Sequence, residues 1–272
     1  MDAVSRPDSL QRAFGQLAVS VKRRGPLSVL DGLRQAGCLK ARFPRPDDAA
    51  WLNVVTLNTS GGIAGGDTLD SRFEVGAGAR ATIASQAAER YYRALPGTPA
   101  SNVATRIAVA DGGAAEWLPQ ETILFDRCAV RRRLRIELAD DAWFLGVESL
   151  VFGRAAMGEA VEHASLRDVY EMRRGGRLLL HDAIRLEGEV AATLRRPAIA
   201  DGARAVATLV YVARDAETML DPLRSQGMGA SAWDGMLIAR MLAADGATLR
   251  ARVIDALRVL RGGRPLPRVW QC

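Results

Sequence analysis

Histidine, cysteine and lysine are scarce in this chain of 272 residues. Only His163 and His181, Cys38, Cys128 and Cys272, and Lys22 and Lys40 represent them. Zinc, copper and nickel centres usually draw on several imidazoles or thiolates. Neither His-x-x-x-His, His-Glu-x-x-His nor Cys-x-x-Cys occurs, so a stable metal site and a disulfide framework are not expected. A Gly-x-Ser-x-Gly elbow is missing too, so His181-Asp182 has no nucleophile to serve and a hydrolase is disfavoured. Residues 1–12 are polar and lack the apolar centre of a signal peptide. No apolar run approaches the length of a membrane span. These absences, with cysteines that suit a reducing compartment, lead us to expect a cytoplasmic protein with no membrane partner.

What is present is a hydrophobic fraction of 49%, enough for a substantial core. The charge balance, 37 basic against 31 acidic residues, gives net +6. Its arginines are interspersed with carboxylates and form no basic run interleaved with aromatics. A nucleic-acid partner is therefore suggested only by the basic balance and is not expected.

Short apolar or alternating runs bounded by Gly, Pro, Asp or Asn predict strands at 17–21, 51–57, 69–75, 80–84, 103–109, 115–118, 122–125, 130–138, 143–152, 178–186 and 205–213. The cleanest alternation is 130–138. Val130, Leu134, Ile136 and Leu138 share one face, Arg131, Arg133, Arg135 and Glu137 share the other, and Arg132 is the exception on the apolar side. The stretch 205–213 is apolar on both faces and should be a central strand. Residues 233–242 carry apolar positions that suit a helix. Leu249, Val253, Ile254, Leu257 and Leu260 predict another, with Thr248 as N-cap and Gly262-Gly263 as its stop. The tail 264–270 should be extended, with Trp270 either packed back or held for a partner. No long linker divides the chain, so residues 1–272 are expected to form one domain, its helical region at 233–262.

The densest motif is Asn58-Thr59-Ser60-Gly61-Gly62-Ile63-Ala64-Gly65-Gly66-Asp67. Two glycine pairs imply a sharply folded loop. A phosphate cradle would follow its glycines with lysine and a hydroxyl residue, and a dinucleotide fingerprint would open a helix. Here Asp67 and a strand follow, and a carboxylate repels phosphate. A nucleotide-dependent enzyme built on the Gly61–Gly66 loop stays as the alternative reading.

Three carboxylates lie within or open apolar runs: Glu121, Glu148 and Asp182, the last expected on the strand face of Leu178, Leu180, Ile184 and Leu186. Desolvating an unpaired charge is costly, so each needs a partner. The ordinary arrangement pairs Glu148 with Arg154, and Asp182 with Arg185 or Arg177. The functional alternative is a polar passage lined by oxygen ligands, which would hold a divalent cation weakly.

Four motifs in order then give the chain a resemblance to the UreD/UreH-type urease accessory proteins. They are the Asn58 to Asp67 loop, complete; Gln86-Ala87-Ala88-Glu89-Arg90-Tyr91-Tyr92-Arg93; Glu116-Trp117-Leu118-Pro119-Gln120-Glu121-Thr122-Ile123-Leu124-Phe125; and Glu148 through Phe152-Gly153-Arg154 with Ala156-Met157-Gly158-Glu159. The resemblance implies a mainly β fold, a solenoid-like stack of sheets built from many short strands, with two helices in the C-terminal quarter. It implies a scaffold with no catalytic residues and no tightly bound cofactor. Such a scaffold binds a UreF-type partner and apo-urease, and a UreG-type GTPase joins through the complex, with dimeric assembly through the UreF-type partner. Nickel, as transient Ni2+, would pass through it to urease. On this basis Asp67, Glu121, Glu148 and Asp182 are the candidate nickel path, and Arg93, Arg154 and Glu159 are candidate partner or structural residues. Residues 1–14 match no motif and are expected to be mobile.

Overall fold

The computed structural model describes residues 11–154 and 157–271. The expectation for residues 1–14 falls mostly outside that range, as do Ala156 of the fourth motif and Cys272.

Two sheets carry the fold. One has seven strands in the order β14 (Arg177–Glu189), β13 (His163–Arg174), β11 (Ala129–Leu138), β8 (Ser101–Val109), β5 (Thr68–Val75), β1 (Phe14–Arg24) and β2 (Leu27–Gly37). The other runs β16 (Gly229–Trp233), β17 (Met236–Ala243), β15 (Ala205–Val212), β12 (Trp143–Phe152), β9 (Ala114–Leu118), β6 (Arg80–Ser85), β4 (Leu52–Asn58) and β3 (Leu39–Arg42). Two short strands, β7 (Glu89–Tyr91) and β10 (Thr122–Leu124), bring it to ten.

In the middle of the chain, strands alternate between the sheets: β5, β6, β8, β9, β11, β12. Neighbours within each sheet there are parallel. Antiparallel pairs, β1 with β2 and β13 with β14 in one sheet, β12 with β15 and β15 with β17 in the other, finish the edges. The outcome is a mainly β protein of stacked sheets. The described residues form neither a solenoid nor a barrel, so the solenoid-like expectation reduces to two sheets.

Each sheet buries the face its alternation dictates. Val19, Phe73, Ile107, Ile136 and Phe144 fill the space between the sheets. The outer face of the ten-stranded sheet, with Leu145, Val147, Leu209 and Met241, is covered by Leu249, Val253 and Leu257 of helix α3 (Gly246–Leu260). Two one-turn α-helices, α1 (Val190–Leu194) and α2 (Leu220–Arg224), are shorter, and a 3-10 turn at Ala216–Met219 leads into α2.

Four expectations need correction. Residues 233–242 are not helical: Trp233 pairs with Met236 across a two-residue turn in which Asp234 and Gly235 both have positive φ, giving the β16–β17 hairpin. Helix α3 starts earlier than expected. Asp245 is its N-cap, accepting from the Thr248 amide at 2.8 Å, and Thr248 sits in the first turn. Leu178 does not share a face with Asp182, because an irregularity at Met172/Arg173 shifts the register and leaves it 53% exposed. The tail does not end extended: a 3-10 turn at Arg268–Trp270 buries Trp270, whose Nε1 donates to the Leu118 carbonyl at 3.0 Å.

Candidate functional site

The signature loop leaves β4, turns beneath β7 and enters β5. Gly61, Gly62 and Gly66 have φ of 78°, 145° and 87°. At Gly62 a Cβ would lie 2.3 Å from the Tyr92 ring, so only glycine fits. The amides of Thr59, Ser60, Ile63, Ala64 and Asp67 all donate to acceptors of the protein itself. They offer no cradle to a phosphate.

Asp67 is 4% exposed. Its Oδ1 accepts from the Ala13 amide at 2.8 Å and its Oδ2 from the Ala64 amide at 2.7 Å. One carboxylate thus closes the loop on itself and ties it to the start of β1. Asn58, at the other end, donates from Nδ2 to both oxygens of Glu89, and its Oδ1 accepts from the Ser60 amide and hydroxyl. Burial pushes the Glu89 carboxyl above its ordinary value, against the lowering effect of Asn58.

Glu89 and Asn58 line a cavity of about 250 Å³ between the sheets, together with Thr122, Trp117, Arg132 and Glu148. A second, smaller cavity of about 20 Å³ is lined by Glu148, Asp168, Tyr170, Asp182 and Thr208. Leu134 and Glu148 border both.

Strand register explains why these polar groups meet. Across the ten-stranded sheet Glu148, Thr208 and Arg240 are register partners on β12, β15 and β17. Across the seven-stranded sheet Arg132 pairs with Asp168, and Leu134, Tyr170 and Asp182 form the next row. The two rows face each other. Arg132 Nη2 lies 2.7 Å from Glu148 Oε2 and 2.5 Å from Asp168 Oδ2, Nε donates to Asp168 Oδ1 at 3.0 Å, and Nη1 donates to Thr122 Oγ1 at 2.9 Å. Trp117 Nε1 donates to Glu148 Oε1 at 2.5 Å.

Burial pushes the Glu148 carboxyl upward, Arg132 opposes this, and Asp168 adds to it. Burial alone would lower the Arg132 pKa, but Asp168 and Glu148 overcome it and keep the guanidinium charged. Farther along, Asp182 Oδ1 pairs with Arg240 Nη2 at 2.6 Å. The Tyr170 hydroxyl is buried with no hydrogen-bond partner.

The sequence-predicted carboxylates therefore separate. Glu148 and Asp182 are brought to one cavity, joined by Asp168, which sequence reasoning missed. Asp67 and Glu121 border neither cavity. Glu121 accepts from Arg250 Nη1 at 2.9 Å, and that guanidinium also donates to Gln120 Oε1 and the Trp270 carbonyl. This motif docks helix α3 and the C-terminal segment. The expected arginine pairings are replaced too: Glu148 meets Arg132 and not Arg154, and Asp182 meets Arg240 and not Arg185 or Arg177. Arg154 grips Glu159 through Nε at 2.9 Å and Nη2 at 2.6 Å, and lies 5.1 Å over the Phe125 ring. Phe125 stacks at 5.2 Å on Tyr92, whose hydroxyl donates to the Gly61 carbonyl at 3.2 Å. Residues of all four motifs thus meet around the loop, while Arg93 is exposed and bridges Cys128 through its backbone.

Sequence reasoning also missed Glu116. It is fully buried, accepting from Thr82 Oγ1, from Arg261 through Nε and Nη2, and from Arg264 Nη2. Its signal was a carboxylate inside the apolar run that precedes Leu118-Pro119. Among the described residues, no group of three His, Cys, Asp or Glu side chains is placed to hold a metal ion, and no helix is long and apolar enough to cross a membrane.

Comparison with known proteins agrees with the motif geometry. The family model described as UreD urease accessory protein matches residues 13–271. The urease accessory protein UreD of Sinorhizobium medicae (strain WSM419) is 44% identical over 269 residues, covering 96% of each chain. That of Rhodopseudomonas palustris (strain ATCC BAA-98 / CGA009) is 41% identical, covering 98% of this chain and 96% of the relative. That of Methylobacterium sp. (strain 4-46) is 45% identical, covering 96% and 95%. With the match running through both sheets, the signature loop and helix α3, the chain belongs to the UreD family of urease accessory proteins.

Proposed function

We propose that this protein is a non-catalytic scaffold that passes nickel to apo-urease through the space between its two sheets. The observation that carries the reading is the pair of cavities meeting at Glu148. Oxygen groups succeed one another along it: Asn58 and Glu89 beneath the signature loop, then Glu148 and Asp168, then Asp182 and Thr208. Carboxylate and hydroxyl oxygens without imidazole or thiolate hold a nickel ion loosely. Loose holding at successive points favours transit over storage. Arg132 keeps Glu148 and Asp168 paired, and Arg240 keeps Asp182 paired, while no cation is present.

In this reading Asp67 holds the loop that shapes the outer mouth. A UreF-type protein and apo-urease dock on the scaffold, and a UreG-type GTPase supplies the ion through the assembled complex. Family membership supports these partners, and the cavity chemistry supports the cargo. The buried Asp67 carboxylate, which accepts from the loop's own Ala64 amide, weighs against the nucleotide alternative.

The test is activation of apo-urease by the reconstituted accessory complex with Ni2+. Glu148→Ala and Asp182→Ala should leave the complex assembled while lowering urease nickel content and activity by roughly tenfold or more. Wild-type activation by both variants would overturn the passage.

A further inference from the structure

The passage proposed above is interrupted at one point, and the interrupting group is a cation. Arg132 lines the outer cavity but not the inner, Asp168 the inner but not the outer, and Glu148 both. Between them sits a single nitrogen, Arg132 Nη2. Oxygens from two sheets converge on it: Glu148 Oε2 at 2.7 Å from the ten-stranded sheet and Asp168 Oδ2 at 2.5 Å from the seven-stranded sheet. A divalent ion of the nickel class binds oxygen at about 2.0–2.2 Å, so a shift of roughly half an ångström per carboxylate would let both oxygens bind one ion at that point.

We propose that Arg132 is a gate: its guanidinium occupies the position of a divalent cation between Glu148 and Asp168, and an ion crosses from the outer to the inner cavity by displacing it. The inference rests on the passage reading and names the residue that controls it.

Charge gives the displacement its direction and its selectivity. Two carboxylates with one guanidinium leave one negative charge in a buried site, whereas two carboxylates with a divalent ion are neutral. A monovalent ion gains nothing over the arginine. In a low-dielectric interior that difference favours the divalent ion.

Space decides which way the side chain moves. The inner cavity has room for about one water-sized species, while the outer one, at about 250 Å³, can take the displaced guanidinium. Acceptors wait on that side. Thr122 Oγ1 already holds Nη1, and the Glu89 carboxylate lines the same cavity. On the inner side the unpartnered Tyr170 hydroxyl is free to meet the ion or its water.

The test is nickel retention by the full chain in equilibrium dialysis, which needs no urease. Arg132→Met should retain about one Ni2+ per chain, with affinity raised roughly tenfold or more over wild type, because the two carboxylates lose their resident cation. Adding Glu148→Gln and Asp168→Asn to Arg132→Met should abolish the gain. A folded Arg132→Met chain that holds no more nickel than wild type overturns the gate, as does a gain that survives the triple substitution. Should Arg132→Met not fold, Arg132→Lys keeps the charge with a shorter, single-point donor. Nickel retention raised severalfold then supports the gate, and retention equal to wild type overturns it. Failure of the passage itself is read separately, as wild-type urease activation by Glu148→Ala and Asp182→Ala.

Discussion

Substitution of Asp67 separates a residue that handles metal from one that holds a turn. In Asp67→Asn the side chain keeps one carbonyl oxygen but turns an NH2 group toward an amide that is itself a donor. One of the two contacts, to Ala13 or to Ala64, becomes donor against donor. Hydrogen bonds to a charged acceptor contribute about 1.5–3 kcal/mol each, and a stranded amide costs about 1–3 kcal/mol. Ala13 and Ala64 are half-buried, so water can reach part of the damage. We expect a net loss of about 3 kcal/mol for Asp67→Asn, with Asp67→Ala similar. For a chain of this size that lowers the melting temperature by roughly 6–12 °C. The assay is thermal and urea unfolding, with urease activation normalised to folded protein. Activation per folded chain should stay near wild type. Unchanged stability with lost activation would refute the reasoning and return Asp67 to the nickel path.

Other substitutions probe the remaining contacts. Gly62→Ala forces a Cβ to within 2.3 Å of the Tyr92 ring at a φ of 145°, and should cost about 2–3 kcal/mol by urea unfolding, more than the same change at the open Gly61. Glu116→Ala strands the buried Arg261 guanidinium and should cost about 3–5 kcal/mol, read from the denaturation midpoint. Arg250→Ala releases Gln120, Glu121 and the Trp270 ring together, so limited proteolysis should cut the C-terminal segment sooner than in wild type. The Glu89 carboxyl is raised in the folded state, chiefly by burial. The folded protein then binds the extra proton, and this group's contribution to stability falls as pH rises from the ordinary glutamate range through the folded value. Glu89→Gln should therefore gain stability relative to wild type between pH 5 and pH 7, as measured by urea midpoints; an equal difference at both pH values would contradict the burial argument.

How much of this could be read from residues alone depended on whether the signal was local. The predicted strands appear because one-sided burial leaves an alternating trace, as at 130–138. Arg132 broke that trace, and an arginine on an apolar face is a readable sign of a buried ion pair. Its partners were not readable. Glu148 comes from the opposite sheet, and Asp168 lies on β13, a strand whose mixed residues left no clean alternation. The β16–β17 hairpin has a local sign: Asp234-Gly235 between apolar runs is a two-residue turn signal, and it outweighs the helical spacing around it. The loop of Asp67 was legible as a turn, but its closure on Ala13, 54 residues earlier, was not.

The alternation of strands between sheets carries a consequence for how the chain folds. Between β5 and its parallel neighbour β8 the chain must cross to the other sheet and lay down β6, and it does so again between β8 and β11. Neither sheet can then assemble ahead of the other, because every parallel pair in one is closed by a strand of its counterpart. Pairings this distant in sequence pay their loop entropy before any contact repays it. The central winding should therefore form slowly and as one unit, with no half of it stable alone, and the polar seam between the sheets comes into being only in that final shared step.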